Sequence, residues 1–585
     1  MAPPTSPSQI GPPANADASP PAAPVARIDA MPAPAPLAMP AQMFDVAPAP
    51  DAPGGGARLT GRALALRLFV VGVTAALTAY GVREMYLTVA VGTVTYLQWA
   101  LIALFSLNFS WIAFAFGASI VGFFVALRRV PPPPRPASLA TRTAIAMPIY
   151  NEAPARVFGA VAAMREEVEA TGLGAAFDWF WLSDTTDPDV FVAEEAAFLK
   201  LRAALGPDAR LFYRHRPKNA RRKAGNLEDF VSRHGAAYDH LLVLDADSLM
   251  SGAAIVALAG AMEADPKLGI LQSPPLIVNR NTLFARVQQF AARVTGPVVA
   301  GGLAAWSGDD GNYWGHNAII RMRAFAAHCG LPDLPGGPPF GGLVMSHDFV
   351  EAALIRRAGY AVRMAPATLG GSYEESPPTP LDLAQRDRRW AQGNLQHARV
   401  IGARGFALAS RQHFATGIFG YVASPFWLLQ LLLGMALALQ SRFVRPEYFA
   451  SDFALFPTWP RFDAARALAL FEVTMAVLLA PKLFGLVAAL ADGKTRRGCG
   501  GAVALVGSTL VEIVASALLA PMMMLVQTGS VAGILLGRDA GWTAQRRDDG
   551  TIPLPDVLRR HRWHMALGIG LAVASYSISP ALFLW

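Results

Sequence analysis

The chain has 585 residues, of which 53% are hydrophobic and only 16% charged, against about a quarter charged in ordinary soluble domains; a wholly water-soluble protein is excluded. The formal net charge is +8, but the basic residues gather beside apolar stretches, as charge that orients membrane helices does, so no nucleic-acid partner is expected. The two cysteines, Cys329 and Cys499, stand far apart without partners at metal-ligand spacing, which leaves neither a disulfide framework nor a structural zinc site.

Residues 1–57 are dominated by Pro and Ala and close on Gly54, Gly55 and Gly56. Such a composition cannot bury a core and reads as a disordered tail. It lacks the basic-then-apolar order of a secretory signal. Crossing a bilayer takes about 20 apolar residues. Leu64–Val82 and Leu97–Leu127 meet that length and place two transmembrane helices in residues 58–130. Arg58, Arg62 and Arg67 precede or open the first, while Arg128 and Arg129 follow the second. Both outer ends are therefore expected in the cytoplasm, together with the soluble-looking block 131–412.

Beyond that block, Phe414–Gln440, Ala467–Leu490 and Met565–Trp585 read as spans. Gly501–Gly537 is too long for one span and short for two, with Pro521 near its middle. Basic flanks on both sides (Lys494, Arg496 and Arg497; Arg546, Arg547, Arg559, Arg560 and Arg562) require a return to the starting side. A tight helical hairpin is the expectation, and interfacial helices are the alternative. Residues 413–585 then form a bundle of about five spans with a cytoplasmic loop at 538–563, about seven spans in all. Lys482 and Glu512 place charges inside apolar stretches, where function competes with snorkelling to a headgroup.

Inside the block, apolar β-rich runs at Thr143–Ile149, Phe177–Ser183, Arg210–Tyr213, His240–Leu244 and Leu268–Gln272 alternate with helical patterns. Val157, Val161, Met164 and Val168 recur at helical spacing between the first two. The alternation predicts an α/β, doubly wound, mostly parallel sheet inserted between the membrane helices. Ligands on such sheets bind beyond the carboxyl ends of the strands, and there the polar motifs fall. The run Leu241–Leu244 ends in Asp245-Ala246-Asp247, two carboxylates able to share a hard cation and the diphosphate it bridges. Asp187-Pro188-Asp189 has the same spacing but lies in a turn.

Further segments follow in order: Met147–Glu152 closing the first strand, Ser183-Asp184 closing the second, Lys223–Asn226 after a basic stretch, Gly315–Arg321, Ser346–Asp348 and Arg386–Trp390. In this order and spacing, residues 140–400 resemble the catalytic domain of glycosyltransferase family 2. The Arg386–Trp390 run, the Gly315–Ala318 run and the late segment Gly541–Arg546 look like the glucosyltransferase H branch of osmoregulated periplasmic glucan synthesis.

That resemblance implies a glycosyltransferase-A-like domain that inverts the sugar carbon by single displacement. It implies UDP-glucose as donor, the growing glucan chain as acceptor, membrane lipids around the spans, and a periplasmic glucan-processing protein as a further partner. Asp247 is the expected ligand of Mg²⁺ or Mn²⁺, with Asp245 supporting metal and nucleotide. Asn151, Glu152, Asp184 and Lys223 are expected to hold the nucleotide. Asp348 stands where the family places its base, with His347 in place of the usual acidic neighbour; preceding the helical run Phe349–Arg357, it could also cap a helix. Arg389 and Trp390 match an arginine–tryptophan pair, a guanidinium for the diphosphate and an indole beneath the acceptor sugar. Arg386 stands where the family usually has Gln, which weakens assignment to cellulose or chitin synthesis and suits the periplasmic glucan branch. Competing readings are a β-1,4-glucan synthase and, from another class, a transporter or receptor with a mere binding module. The latter has no need of a base at Asp348.

Overall fold

In the computed structural model, which describes residues 30–57, 59–90, 94–206, 208–443, 463–538, 550 and 552–584, an α/β domain sits between apolar helices. Its sheet contains β1 (Thr143–Ile149), β2 (Phe177–Ser183), β3 (Leu211–His215), β4 (His240–Val243), β6 (Leu268–Gln272), β8 (Ala318–Arg321) and β9 (Ala361–Met364), in the order β3-β2-β1-β4-β8-β6-β9. Only β8 runs antiparallel to its neighbours. A second, small sheet pairs β10 (Ser372–Glu374) with β5 (Leu249–Met250) and β7 (Leu276–Ile277).

Alternation along β1 explains the two-sided burial. Ala144 and Ala146 face one core with Leu227, Phe230 and Val231, while Ile145 and Met147 face the other with Val157, Val161, Met164 and Val168. A strand covered by helices on both faces has no solvated side, hence its continuous apolar sequence. β1 and β2 register over their whole length, so Ile149 and Ser183 end side by side. β4 joins β1 through Thr143↔His240 and releases Asp245 and Asp247 at the same edge.

The reading of residues 1–57 as a disordered tail is corrected for residues 30–57. Ala30 pairs with Tyr213 of edge strand β3, the Leu37 N–H donates to the Ser232 carbonyl at 3.1 Å, and the Ala57 N–H donates to the Gly359 carbonyl at 2.8 Å. Met31, Leu37, Met39 and Phe44 pack on the domain core. The extended proline-rich chain lacks a core of its own, yet its spaced apolar side chains and free amides use one already formed. The strap also covers part of an open sheet edge. Residues 1–29 lie outside the described residues.

Among the described residues, five helices are long and apolar enough to cross a membrane: Gly61–Val89, Tyr96–Arg128, Leu408–Ser441, Ala464–Ala491 and Ala502–Leu535. The protein is thus a multi-pass membrane protein. The expected span Met565–Trp585 is not among them. Its helix, Leu554–Ile578, begins with Arg559, Arg560 and Arg562 and stops before Pro580, so the apolar part is short.

Gly501–Gly537 forms no hairpin; Ala502–Leu535 is one helix through Pro521. Near its start Leu505 packs with Val294 of the domain, and near its end Val531 and Ile534 pack with Ala391 and Leu395 of the domain. Both ends thus contact the domain. We call it the junction helix. Lys482 and Glu512, singled out as isolated charges, bond to each other and fasten it to Ala464–Ala491. The loop Gly541–Asp549 lies outside the described residues.

The boundary at residue 412 is also less clean than composition suggests. Gly296–Ser307, apolar but too short to cross a membrane, packs along the second span. A Cβ on Gly302 would stand 2.3 Å from the Ala118 carbonyl oxygen, and one on Gly122 would stand 1.8 Å from that of Val298. Glycine lets the two helices touch backbone to backbone. Arg67 on the first span donates to the Trp306 carbonyl at 2.9 Å and to Asp310 at 2.6 Å.

Candidate active site

A cavity of about 940 Å³ opens at the carboxyl edge of β1, β2 and β4 and continues to the membrane helices. Its first end is built from strand termini. The Asp184 N–H donates to the Ile149 carbonyl at 2.9 Å, joining the two strand ends. Arg216 grips the Asp184 carboxylate with two bonds, Nε to Oδ1 at 2.6 Å and Nη2 to Oδ2 at 2.7 Å. Burial raises the pKa of Asp184, and the Arg216 charge opposes that rise. Beneath the loop, the buried Glu194 accepts hydrogen bonds from Ser183 at 2.7 Å, Thr185 at 2.5 Å and Tyr213 at 3.0 Å. An edge fixed this way is preorganised for a ligand.

Glu152, Asp184, Lys223, Asp245 and Asp247 all line the cavity, whereas Asn151 does not. Asn151 has a left-handed backbone (φ 54°), and its side-chain Oδ1 accepts from the Thr186 and Asp187 N–H groups, each at 3.0 Å. Its side chain braces the loop after β2, which a short amide in a turn is suited to do. Asp187, in the rival Asp-x-Asp, caps the helix Pro188–Leu205.

Asp245 is bonded to Lys223, whose ammonium also donates to the Gly315 carbonyl at 2.7 Å. Gly315 adopts φ +87°, and a Cβ there would lie 3.4 Å from Asp348 Oδ2. One glycine thus separates the Asp245–Lys223 pair from the carboxylate of Asp348, and its backbone tolerates no larger residue without strain. Asp348 is not the cap of its helix. Ser346 occupies that position, and Asp348 lies in the first turn of His347–Arg357. Burial raises its pKa, the His347 charge lowers it, and Glu351 raises it, with a net rise. His347 Nδ1 stands 2.9 Å from Glu351 Oε1. Burial alone would depress the pKa of that imidazole, but Glu351 lifts it overall.

His316 was not singled out as a site residue by sequence reasoning. It lines the cavity with Nε2 3.2 Å from Glu374 Oε2. Burial lowers its pKa, but Asp245 and Glu374 outweigh this and raise it to about 9. The available signal was its place in the Gly315–Ala318 run.

The far end of the cavity is formed by the helix Pro380–Gln396, here the platform helix. Arg386, Asp387, Arg389 and Trp390 on it line the cavity. Trp390 is 50% exposed, an open apolar face, and the Arg386 guanidinium carbon lies 4.3 Å from its ring centroid. Burial lowers the pKa of Arg386, with Glu374, Asp387 and Asp247 opposing. Trp111 of the second span, Thr416, Gly420 and Tyr421 of the third helix, and Gln527 of the junction helix complete the lining.

A divalent ion fits the strand-edge carboxylates. Mg²⁺ is commonly bound by one or two carboxylates together with substrate phosphates, and Asp245 and Asp247 both face the cavity. Among the described residues no group of three or more His, Cys, Asp or Glu side chains could hold a metal alone, so phosphate and water would complete the ligand set.

Residues 240–485 match glycosyl transferase family group 2. The chain is 54% identical over 519 residues to the glucans biosynthesis glucosyltransferase H of Vibrio cholerae serotype O1 (strain ATCC 39541 / Classical Ogawa 395 / O395), covering 89% of this chain and 72% of that one. It is 53% identical over 524 residues to the same-named protein of Shewanella sp. (strain ANA-3), covering 89% and 71%. Among solved structures, a mannosyltransferase from Pyrobaculum calidifontis in complex with GDP-Man and Mn²⁺ aligns at 17% identity and TM-score 0.41, over 70% of this chain and 99% of that one.

Proposed function

The chain belongs to the glucans biosynthesis glucosyltransferase H family, and from that premise we propose that it transfers glucose from UDP-glucose, with inversion, onto a growing β-1,2-glucan. It is a membrane glycosyltransferase; the donor, linkage, metal, direction of export and sidedness are our reading. The observation that carries this reading is a single cavity holding the Asp245–Asp247 pair, Asp348 and the Arg389–Trp390 pair together.

Each residue then has a task. Glu152 and Asp184 hold the nucleotide, and Lys223 sits by the diphosphate. Asp247, with Asp245, would hold Mg²⁺ or Mn²⁺, which when bound supplies positive charge to the departing diphosphate. Arg389, from the platform helix, and His316 add cationic groups where negative charge develops. The acceptor sugar rests on Trp390. Its hydroxyl oxygen bonds to the anomeric carbon as the bond to the diphosphate breaks, and that electron pair leaves with UDP. The hydroxyl proton passes to Asp348, whose buried, raised-pKa carboxyl suits a proton acceptor. Attack opposite the leaving group turns an α-linked donor into a β bond.

The 1,2 linkage follows the family alone. Export is supported by the cavity's continuation to Trp111, Thr416, Gly420 and Tyr421 on membrane helices, since a polar chain crosses only along a path that satisfies its hydroxyls. Arg62, Arg67, Arg128 and Arg129 support a cytoplasmic domain in a bacterial inner membrane.

Incubating the purified protein with labelled UDP-glucose and methylating the product tests the proposal. We expect mainly 2-linked glucose, lost in excess chelator. Mainly 4-linked product would indicate another β-glycan synthase, and no incorporation would refute the donor.

A further inference from the structure

The platform helix is held from the membrane side by one carboxylate. Asp387 Oδ1 accepts from the Tyr421 hydroxyl at 3.1 Å, and Asp387 Oδ2 accepts from Gln527 Nε2 at 2.8 Å. Gln527 is itself set by Ser424, whose hydroxyl donates to its Oε1 at 2.5 Å. Tyr421 and Ser424 belong to the third helix, and Gln527 to the junction helix. Asp387 itself lines the cavity, as do Tyr421 and Gln527. Asp387 sits between Arg386, which stacks on Trp390, and Arg389. Apolar contacts of Ala391 and Leu395 with Val531 and Ile534 flank the same junction. The junction helix is tied at its other part by Lys482–Glu512, with Ser516 Oγ donating to Glu512 at 2.8 Å.

Hydrogen bonds to a carboxylate in a partly desolvated place are strong and directional. Two of them, from two different membrane helices, fix the azimuth of the platform helix. At the strand edge, Asp184 is held by Arg216 and Asp245 by Lys223, through contacts within the domain.

We infer that Gln527 and Tyr421 are positioning residues for the acceptor: through Asp387 they hold Arg386 and Trp390 in register with the membrane end of the cavity. This inference rests on the proposed glucosyl transfer and adds to it the division of labour between donor and acceptor ends. Loosening the clamp leaves the donor activated but the acceptor misplaced, so water takes the glucosyl unit more often.

The reconstituted enzyme given labelled UDP-glucose yields three quantities: glucan formed, free glucose released by hydrolysis, and donor KM. For Gln527→Leu, the ratio of transfer to hydrolysis should fall about tenfold, a size expected for a small misplacement of a reacting group, with donor KM changed less than about twofold. Tyr421→Phe, which removes one hydroxyl, should shift the ratio in the same direction by less. Asp387→Asn should resemble Gln527→Leu, and the double variant should be no worse than either alone, because both break one contact set. An unchanged ratio in a well-folded Gln527→Leu enzyme that still makes glucan overturns the clamp alone. So does a double variant that loses the product of the two single losses, or a parallel fall of transfer and hydrolysis. A wild-type enzyme that consumes no UDP-glucose overturns the underlying reading, and the clamp with it.

Discussion

The two ends of the cavity are built by different means. At the end we assign to the donor, Asp184 and Asp245 follow strand termini and Lys223 stands in the first turn of the helix Arg222–His234, and each is held within the domain by Arg216, by one another or by Gly315. At the acceptor end, Trp390 stands on a helix whose orientation depends on Tyr421 and Gln527 of membrane helices. A strand edge preorganises charge locally, whereas on the proposed function a platform shared between domain and membrane would couple where the acceptor lies to where the product must go.

Variants at the two ends should therefore fail differently. The largest effect is expected for Asp348→Asn, between the ends: glucosyl transfer should drop about a hundred- to ten-thousandfold, while calorimetry finds UDP binding nearly intact. Near-normal transfer would move the base elsewhere. Asp247→Asn should weaken metal-dependent UDP binding by about tenfold or more along with turnover; unchanged binding would remove it from the donor end. Trp390→Ala should do the opposite, retaining UDP affinity and donor hydrolysis while polymerisation falls about tenfold. A loss of UDP affinity there would erase the distinction between the ends.

The smallest effect concerns the domain that carries both. Burial holds His240, at the start of β4, and His397, after the platform helix, to pKa values of about 4, from 6.5. Both are neutral when folded, while the unfolded chain binds their protons below about 6.5. The stability involved is therefore complete above about 6.5 and lost as pH falls toward 4, by up to about 3 kcal/mol for each. Thermal unfolding in detergent should give a lower Tm at pH 5 than at pH 7.5, and His240→Gln should reduce the difference. An equal Tm at both values would contradict the depressed pKa values.

The same contrast governs what the sequence discloses. β1, β2 and β6 were legible to the residue because buried strands are uninterrupted apolar runs, and Asp245 and Asp247 were legible as the polar end of one. His316 lay inside a recognised run, but its charge depends on Glu374, distant in sequence and supplied by the second sheet. Asn151 matched a pattern that does not distinguish a ligand from a loop brace. The bond from Gln527 to Asp387 joins residues 140 positions apart, and local periodicity carries no trace of it. The junction helix misled for a related reason. Its length and Pro521 suited a hairpin, and only contacts at Leu505 and Ile534 set its course. The strap at residues 30–57 has a composition that reports the absence of its own core and nothing about borrowing another.

Product location tests most directly the claim that one cavity joins donor chemistry to the membrane helices. The protein, reconstituted in sealed vesicles with the domain outward and given labelled UDP-glucose and Mg²⁺ outside, should accumulate labelled glucan inside. That glucan should be absent with Asp348→Asn. Labelled glucan found wholly outside intact vesicles would contradict the account.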